Sequence, residues 1–99
     1  MVSYSPEPSP APRFSLGSVY ATSAVNQWAA SQGLSIYRWL HRHQTGDWGD
    51  LDQDDKQANE DALAHGGRVF SCYLTNNRKI YLITEWDRSM TTILFAEEY

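Results

Sequence analysis

The stretch RVFSCYLTNNRKIYLITEWDRSMTTILFA, residues 68–96, decides the fold of this chain. It contains three segments rich in β-branched and aromatic residues, which are typical of strands, at 68–75, 79–86 and 90–96. Two short turn sequences separate the segments, Asn76-Asn77-Arg78 and Asp87-Arg88-Ser89, and asparagine tolerates the positive φ that tight hairpins need. Because connections this short join antiparallel neighbours, the sequence predicts an antiparallel meander.

The residues before the meander carry apolar side chains at helical spacing. They predict one helix between a cap at Thr22 or Ser23 and Gly33, a second over 36–45 after Ser35, and a third over roughly 53–65 after Asp52. The apolar stripe of the second helix is Ile36, Trp39, Leu40 and His43. The fold class is therefore α+β, with about three helices packed on one face of a three- to four-stranded antiparallel meander. Residues 14–20 form at best a short edge strand.

Length and composition limit the chain to one domain. It has 99 residues, of which 41% are hydrophobic, and a net charge of −4, so it is too short for two cores and is not a generally basic nucleic-acid coat protein. Residues 1–13, with proline at positions 6, 8, 10 and 12, predict a disordered arm, and 14–99 a single α+β domain. One cysteine, no apolar run of about 18 residues and no secretion signal predict a cytoplasmic protein without a membrane partner.

Basic residues and histidines lie together near the end of the second predicted helix. His41 and His43 are two positions apart, so they point roughly 200° away from each other around the helix and cannot share a metal ion. We expect no metal and no cofactor. His43 has two interpretations: a core histidine bonded to a neighbour, or a partly buried acid or base whose tautomer is set by Asp47 or Asp50.

Charged and hydroxyl residues crowd the second turn of the meander, including Arg88, Thr91 and Thr92. They either satisfy the backbone of the turn or form a phosphate or carboxylate site, since a guanidinium binds such groups through two hydrogen bonds. Arg68 lies at the start of the first strand segment. The sequence contains no recognised nucleophile motif, and Cys72 alternates with Phe70 and Leu74, which predicts a core thiol.

An acidic stretch covers residues 47–61, with seven acids and one lysine. Its spacing departs from a calcium loop because Asp55 stands where the loop requires glycine. Such runs are usually solvated helix faces, and they can also be binding surfaces. The candidate binding residues are Asp47, Trp48, Asp50, Asp54, Asp55 and Asp61.

Three strings of the sequence resemble a family of small proteins found on bacterial plasmids, integrative elements and phages. They are RHQTGDWGDL at 42–51, DKQANEDAL at 55–63 and ITEWDRSMTTILFAEEY at 83–99. The chain departs from the family pattern at Trp86, where the family has alanine, and at Phe95-Ala96, where it has Leu-Pro. The resemblance implies a mobile-element setting and brings no established activity.

The order of elements also resembles the small metal-independent RNases of the barnase, EndoU, colicin and RelE type. That resemblance implies that His43 would act as general acid or base on RNA, with Arg68 and Arg88 stabilising the phosphorane and Thr91 or Thr92 donating to it. Two hypotheses follow. The first is an accessory protein that binds a host protein or ribonucleoprotein, as an anti-CRISPR or anti-restriction inhibitor does. The alternative is an RNase-like toxin or RNA-processing enzyme.

Overall fold

A computed structural model describes residues 11–99 as an α+β domain in which helices pack against a four-stranded sheet. The predicted arm therefore falls mostly outside the described residues. The helices are α1 (Ser23–Ser31), α2 (Tyr37–Gln44) and α3 (Gln53–His65). The strands are β1 (Ser18–Ala21), β2 (Val69–Thr75), β3 (Arg78–Thr84) and β4 (Met90–Phe95), followed by a short 3-10 helix (Ala96–Glu98).

The predicted caps of α1 and α3 and the first predicted turn act as expected, but Ser35 does not cap α2: its N-cap is Ile36, which makes no side-chain cap bond, and Ser35 Oγ accepts from the N–H of Tyr37 at 3.2 Å. Thr22 Oγ1 accepts from the N–H of Val25 at 3.2 Å at the start of α1, and Asp52 accepts from the N–H of Asp55 at 2.8 Å at the start of α3. Asn76 and Asn77, between β2 and β3, have φ values of 47° and 65°. Two consecutive positive φ values are what a tight hairpin turn requires, and asparagine reaches them with little strain.

The sheet has the order β1-β4-β3-β2, and its arrangement corrects one prediction. β2, β3 and β4 form the antiparallel meander, but β1 runs parallel to β4, so the sheet is mixed. No short turn links these two strands, because all three helices and two strands lie between them in the chain. Without a short turn, nothing local imposes an antiparallel direction.

Alternation along the strands separates a covered face from an open face. The helices cover the face that carries Tyr73, Ile80, Leu82, Ile93 and Phe95, which pack with Val25, Ala29, Trp39 and Leu40 of α1 and α2 into the main core. A smaller core joins Trp48, Ala62 and Val69 next to it. Cys72 is buried as predicted, but the alternation places it on the open face, because Ser71 and Tyr73 point towards the helices.

The outer edge of β2 is covered by other parts of the chain. Asp50 donates its N–H to the carbonyl of Cys72 at 2.7 Å, and its Oδ2 accepts from the N–H of Leu74 at 2.8 Å. The side-chain amide of Asn59 in α3 makes both bonds to the backbone of Phe70, at 2.6 and 2.9 Å. This edge therefore has few free groups with which another strand could pair.

Candidate functional site

The most unusual feature of the interior is a chain of polar side chains that begins at His43. The ring nitrogens of His43 contact the hydroxyls of Ser71 (Nδ1 to Oγ, 2.5 Å) and Thr84 (Nε2 to Oγ1, 2.9 Å). Thr84 Oγ1 lies 2.7 Å from Thr91 Oγ1, and Thr91 donates to the carbonyl of Leu16 at 2.7 Å. The four side chains have no exposed surface. This series of hydrogen-bonded side chains thereby connects α2, all three strands of the meander and the segment that leads into β1.

The last bond of this polar chain determines the direction of the others. A hydroxyl has one proton, and that of Thr91 is used on the Leu16 carbonyl, so Thr84 must donate to Thr91. Thr84 then has no proton left for His43, and the imidazole must donate to it from Nε2. The geometry therefore assigns the proton of neutral His43 to Nε2, while Nδ1 accepts from Ser71.

His43 lies in apolar surroundings that disfavour its charged form. The rings of Phe14 and Trp48 meet it edge-on, with centroids 5.1 and 6.0 Å away. Burial, with a smaller effect from the positive charge of Arg88, lowers the pKa of His43 to about 3. At neutral pH the imidazole is therefore neutral, and the interior histidine interpretation fits the geometry. Asp47 and Asp50 do not orient it; hydroxyls do.

Arg88 is held by backbone carbonyls. Its guanidinium donates to the carbonyls of Gly67 at 2.6 Å, Glu85 at 3.0 Å and Ala62 at 3.3 Å, and it lies over the ring of Phe14. These bonds tie the turn between β3 and β4 to the end of α3, where the Ala62 carbonyl also accepts from the N–H of Gly66 at 2.9 Å. The guanidinium is thus bonded within the fold, and the structure shows it held by backbone rather than by the hydroxyl side chains near it.

The other two candidate catalytic residues lie away from His43. Arg68, just before β2, pairs with Glu85, just after β3, at 3.7 Å, and both side chains are partly exposed. Thr92 is the neighbour of Thr91 in β4, so it points to the open face. Of the five candidates, the structure brings together His43 and Thr91 in the interior, with Arg88 near them, and places Arg68 and Thr92 elsewhere.

Three of the candidate binding residues, Asp47, Asp50 and Trp48, make contacts inside the domain. Asp47 pairs with Arg42 at 2.6 Å and accepts from the N–H of Gly49, and the Arg42 hydrogen bond is the main reason that the pKa of Asp47 lies below its usual value. Asp50 covers the edge of β2. Trp48 is only 5% exposed and donates from Nε1 to Glu60 at 2.9 Å, so this aromatic side chain is part of the smaller core.

The remaining acids, Asp54, Asp55 and Asp61, are exposed on α3. Asp61 accepts from Gln57 at 3.1 Å, and within residues 11–99 none of the three acids forms an ion pair. Their charges are therefore available to a partner.

The sequence interpretation missed the open face of the sheet. Phe70, Tyr81 and Tyr99 meet edge-on there, with ring centroids 4.6 to 6.4 Å apart. Leu74 and Tyr20 on the same face are each 57% exposed. The signal was present in the sequence, since Phe70, Cys72 and Leu74 alternate with the residues that point to the helices. The prediction instead treated that alternation as a sign of the core.

Within the part of the chain that the structure describes, no three His, Cys, Asp or Glu side chains are grouped so that they could hold a metal ion. No helix among these residues is long and apolar enough to cross a bilayer. Comparisons of the chain with family models, curated proteins and solved structures found no match.

Proposed function

We propose that this chain is an accessory protein of a mobile genetic element that acts by binding a host protein. Its partner would be a defence complex of the CRISPR or restriction type, whose nucleic-acid-binding surface is basic. The motifs at 42–51 and 83–99 support the genomic setting by resemblance. The structure also suggests which surface would bind. His43 and Thr91 are buried, whereas apolar residues of the open face and the acids of α3 are exposed.

The observation that carries the proposal is the open face of the sheet. One-sided sheets normally present polar residues to water on the side away from the helices. Here that side presents Phe70, Tyr81 and Tyr99 in mutual contact, with Leu74 exposed beside them. A contiguous apolar area of this kind marks an interaction surface, and aromatic residues are enriched at the centres of such surfaces.

Charge next to the open face indicates the chemistry of the partner. The loop of Asp50 and helix α3 lie along β2, because both make hydrogen bonds to the backbone of that strand. This side of the domain therefore carries Asp54, Asp55 and Asp61 without ion pairs among residues 11–99. The border of the apolar surface is negative on the α3 side, and Lys79 lies on the open face opposite Leu74. The acidic side fits a partner whose apolar patch is bordered by lysine and arginine.

The test uses bacterial strains that each carry one defined CRISPR or restriction system, challenged with a phage that the system targets. We expect the wild-type chain to raise plating efficiency in at least one strain. Leu74→Lys, and the triple charge reversal of Asp54, Asp55 and Asp61 to lysine, should each remove this effect. Tyr37→Lys is the matched control, because Tyr37 is 74% exposed on α2 and lies outside the open face.

The result in the protective strain is then checked with purified components. The effector complex of that strain should bind the wild-type chain and the Tyr37→Lys control equally, and bind the other two variants at least roughly tenfold more weakly. If no strain in the panel gains plating efficiency although the protein is folded and expressed, the proposal is wrong.

The alternative, a metal-independent RNase, requires His43 to reach RNA. Its side chain has no exposed surface, and both ring nitrogens are already bonded. Incubation of labelled total RNA with purified protein and EDTA separates the two functions. Cleavage by the wild type and not by a folded His43→Gln variant would establish the RNase.

A further inference from the structure

The two edges of the sheet differ in how the chain protects them. The edge at β2 is covered by the loop of Asp50 and by Asn59. The other edge is β1, whose residues are Ser18, Val19, Tyr20 and Ala21. Proteins usually protect such an edge with charge, proline or a bulge. β1 contains neither a charge nor a proline, and its first three residues are exposed.

The backbone of β1 has groups that point away from the sheet. Ser18 and Thr22 donate their N–H groups to the carbonyls of Ser89 and Ile93, so alternate residues of this segment face β4. In a parallel ladder, the residues between them, Val19 and Ala21, direct both N–H and C=O outwards. Within residues 11–99 no hydrogen bond to these outward groups is formed.

From this edge we propose that the chain forms a two-fold symmetric dimer in which β1 pairs with β1 of a second copy. The two four-stranded sheets would become one continuous sheet of eight strands. A two-fold axis across two identical strands makes them antiparallel, and each copy then offers the other the same surface. This proposal does not rest on the proposed function, which concerns Phe70, Leu74, Tyr81, Tyr99 and α3, although Tyr20 of β1 lies on the same open face.

Charge favours a second copy as the occupant of this edge. Each chain carries a net charge of −4, so two copies repel wherever their charged surfaces meet. Residues 14–37, which include β1 and the whole of α1, contain no charged side chain at all. No other stretch of this length in the sequence is free of charge. Two acidic copies can therefore approach along β1 without bringing charges of this segment together; the Glu98 carboxylate, which accepts from Thr22 Oγ1 at 2.9 Å, lies just past the end of the strand.

The register of the pairing follows from the outward groups. Val19 of one copy lies opposite Ala21 of the other, and the reverse pair is equivalent, which gives four backbone hydrogen bonds. Tyr20 then meets its own counterpart at the axis as a non-hydrogen-bonded pair, with Cα atoms about 4.5 Å apart. Its side chain points to the open face and is 57% exposed, so the two rings can pack together there.

Oligomeric state and cross-linking test this dimer. Sedimentation equilibrium of the full chain should show a species of twice 11.3 kDa whose fraction rises with concentration. Val19→Pro removes an outward N–H and leaves the bonds to β4 in place, so we expect its dissociation constant to rise at least roughly tenfold. Tyr20→Lys places two like charges at the axis and should have the same effect.

A cysteine pair tests the register directly. Tyr20→Cys should form a disulfide-linked dimer under mild oxidation, because the Cα separation at the axis suits a disulfide. Ser18→Cys is the matched control: it lies on the same face, but the two copies of residue 18 would be about 14 Å apart. The native thiol, Cys72, is only 4% exposed, and the wild type should not cross-link.

Four results would overturn the dimer, the first three of which concern the full chain and its point variants. They are a monomer at every concentration up to about 1 mM, a dimer that Val19→Pro and Tyr20→Lys leave unchanged, and equal cross-linking through positions 18 and 20. A monomer that dimerises only after deletion of residues 1–10 would also overturn it, because the edge would then be occupied by the chain's own first residues.

Discussion

The direction of the buried hydrogen-bond chain gives a prediction about Thr84. Thr84→Val replaces the hydroxyl with a methyl group of similar size and leaves the Nε2–H of His43 without an acceptor. It also removes the bond that Thr91 accepts. A stranded buried donor costs about 1–3 kcal/mol and a lost neutral bond about 1 kcal/mol, so we expect a loss of roughly 2–4 kcal/mol in the free energy of unfolding. For a domain of this size, that lowers Tm by roughly 10–25 °C.

A double-mutant cycle measured by urea unfolding isolates the hydrogen bond between His43 Nε2 and Thr84 Oγ1. His43→Leu removes the donor, so adding Thr84→Val to it strands no Nε2–H. The loss of stability in the double variant should therefore be smaller than the sum of the two single losses by about 1–2 kcal/mol. Thr92→Val is the matched control, because it makes the same chemical change on the open face, and we expect it to stay within about 0.5 kcal/mol of the wild type.

Two results would refute this reasoning. The first is additivity of the two losses within about 0.5 kcal/mol, which would mean that the side chains do not interact. The second is nitrogen NMR of the imidazole that places the proton of neutral His43 on Nδ1. In that case the hydroxyls would be oriented the other way.

Three further predictions concern other contacts. Gly49→Ala should destabilise the fold by more than about 3 kcal/mol in urea unfolding, because a Cβ there would lie 2.1 Å from the carbonyl oxygen of Cys72 at a φ of 75°; a loss below 1 kcal/mol would contradict the close approach. Hydrogen bonds from Arg13 and Trp48 lower the pKa of Glu60 to about 2. The ionised Glu60 side chain therefore stabilises the fold above the unfolded pKa of 4.5, and this stabilisation is lost as pH falls towards 2. Glu60→Gln should therefore flatten the acid side of the stability–pH curve, measured between pH 6 and 2, and an unchanged slope would show that the ion pair does not form. Arg88→Met should lower the free energy of unfolding by roughly 2–3 kcal/mol, because the carbonyl of Gly67 loses its donor and those of Glu85 and Ala62 keep only a backbone N–H; a thermal melt like that of the wild type would exclude this role.

The helices and the meander could be predicted because their signals are local. Asp52 caps α3 through a contact three residues away, and Asn76-Asn77 forms its turn through its own backbone preference. The parallel direction of β1 has no such signal. It depends on contacts with β4 across some 70 residues, such as that between Leu16 and Thr91, and nothing within four residues of β1 encodes that partner.

The candidate site was predictable only in part. The helical stripe correctly placed His43 on the buried side of α2, but nearness in sequence suggested Asp47 and Asp50 as its partners. Those carboxylates turn to Arg42 and to the edge of β2 instead. The true partners, Ser71 and Thr84, come from strands, and Thr84 is in turn the direct neighbour of Thr91 in the β3–β4 register. Predicting them requires the register as well as the alternation of each strand.

The parallel pairing of β1 with β4 also has a consequence for the order of folding. The loop that must close before these strands meet spans most of the domain, and long-range pairings of this kind form late. The β2–β3 hairpin and the three helices need only nearby contacts and can form first. We therefore expect β1 to be the last strand to join the sheet, so that pairing between two copies through β1 would begin only when each chain has completed its own fold.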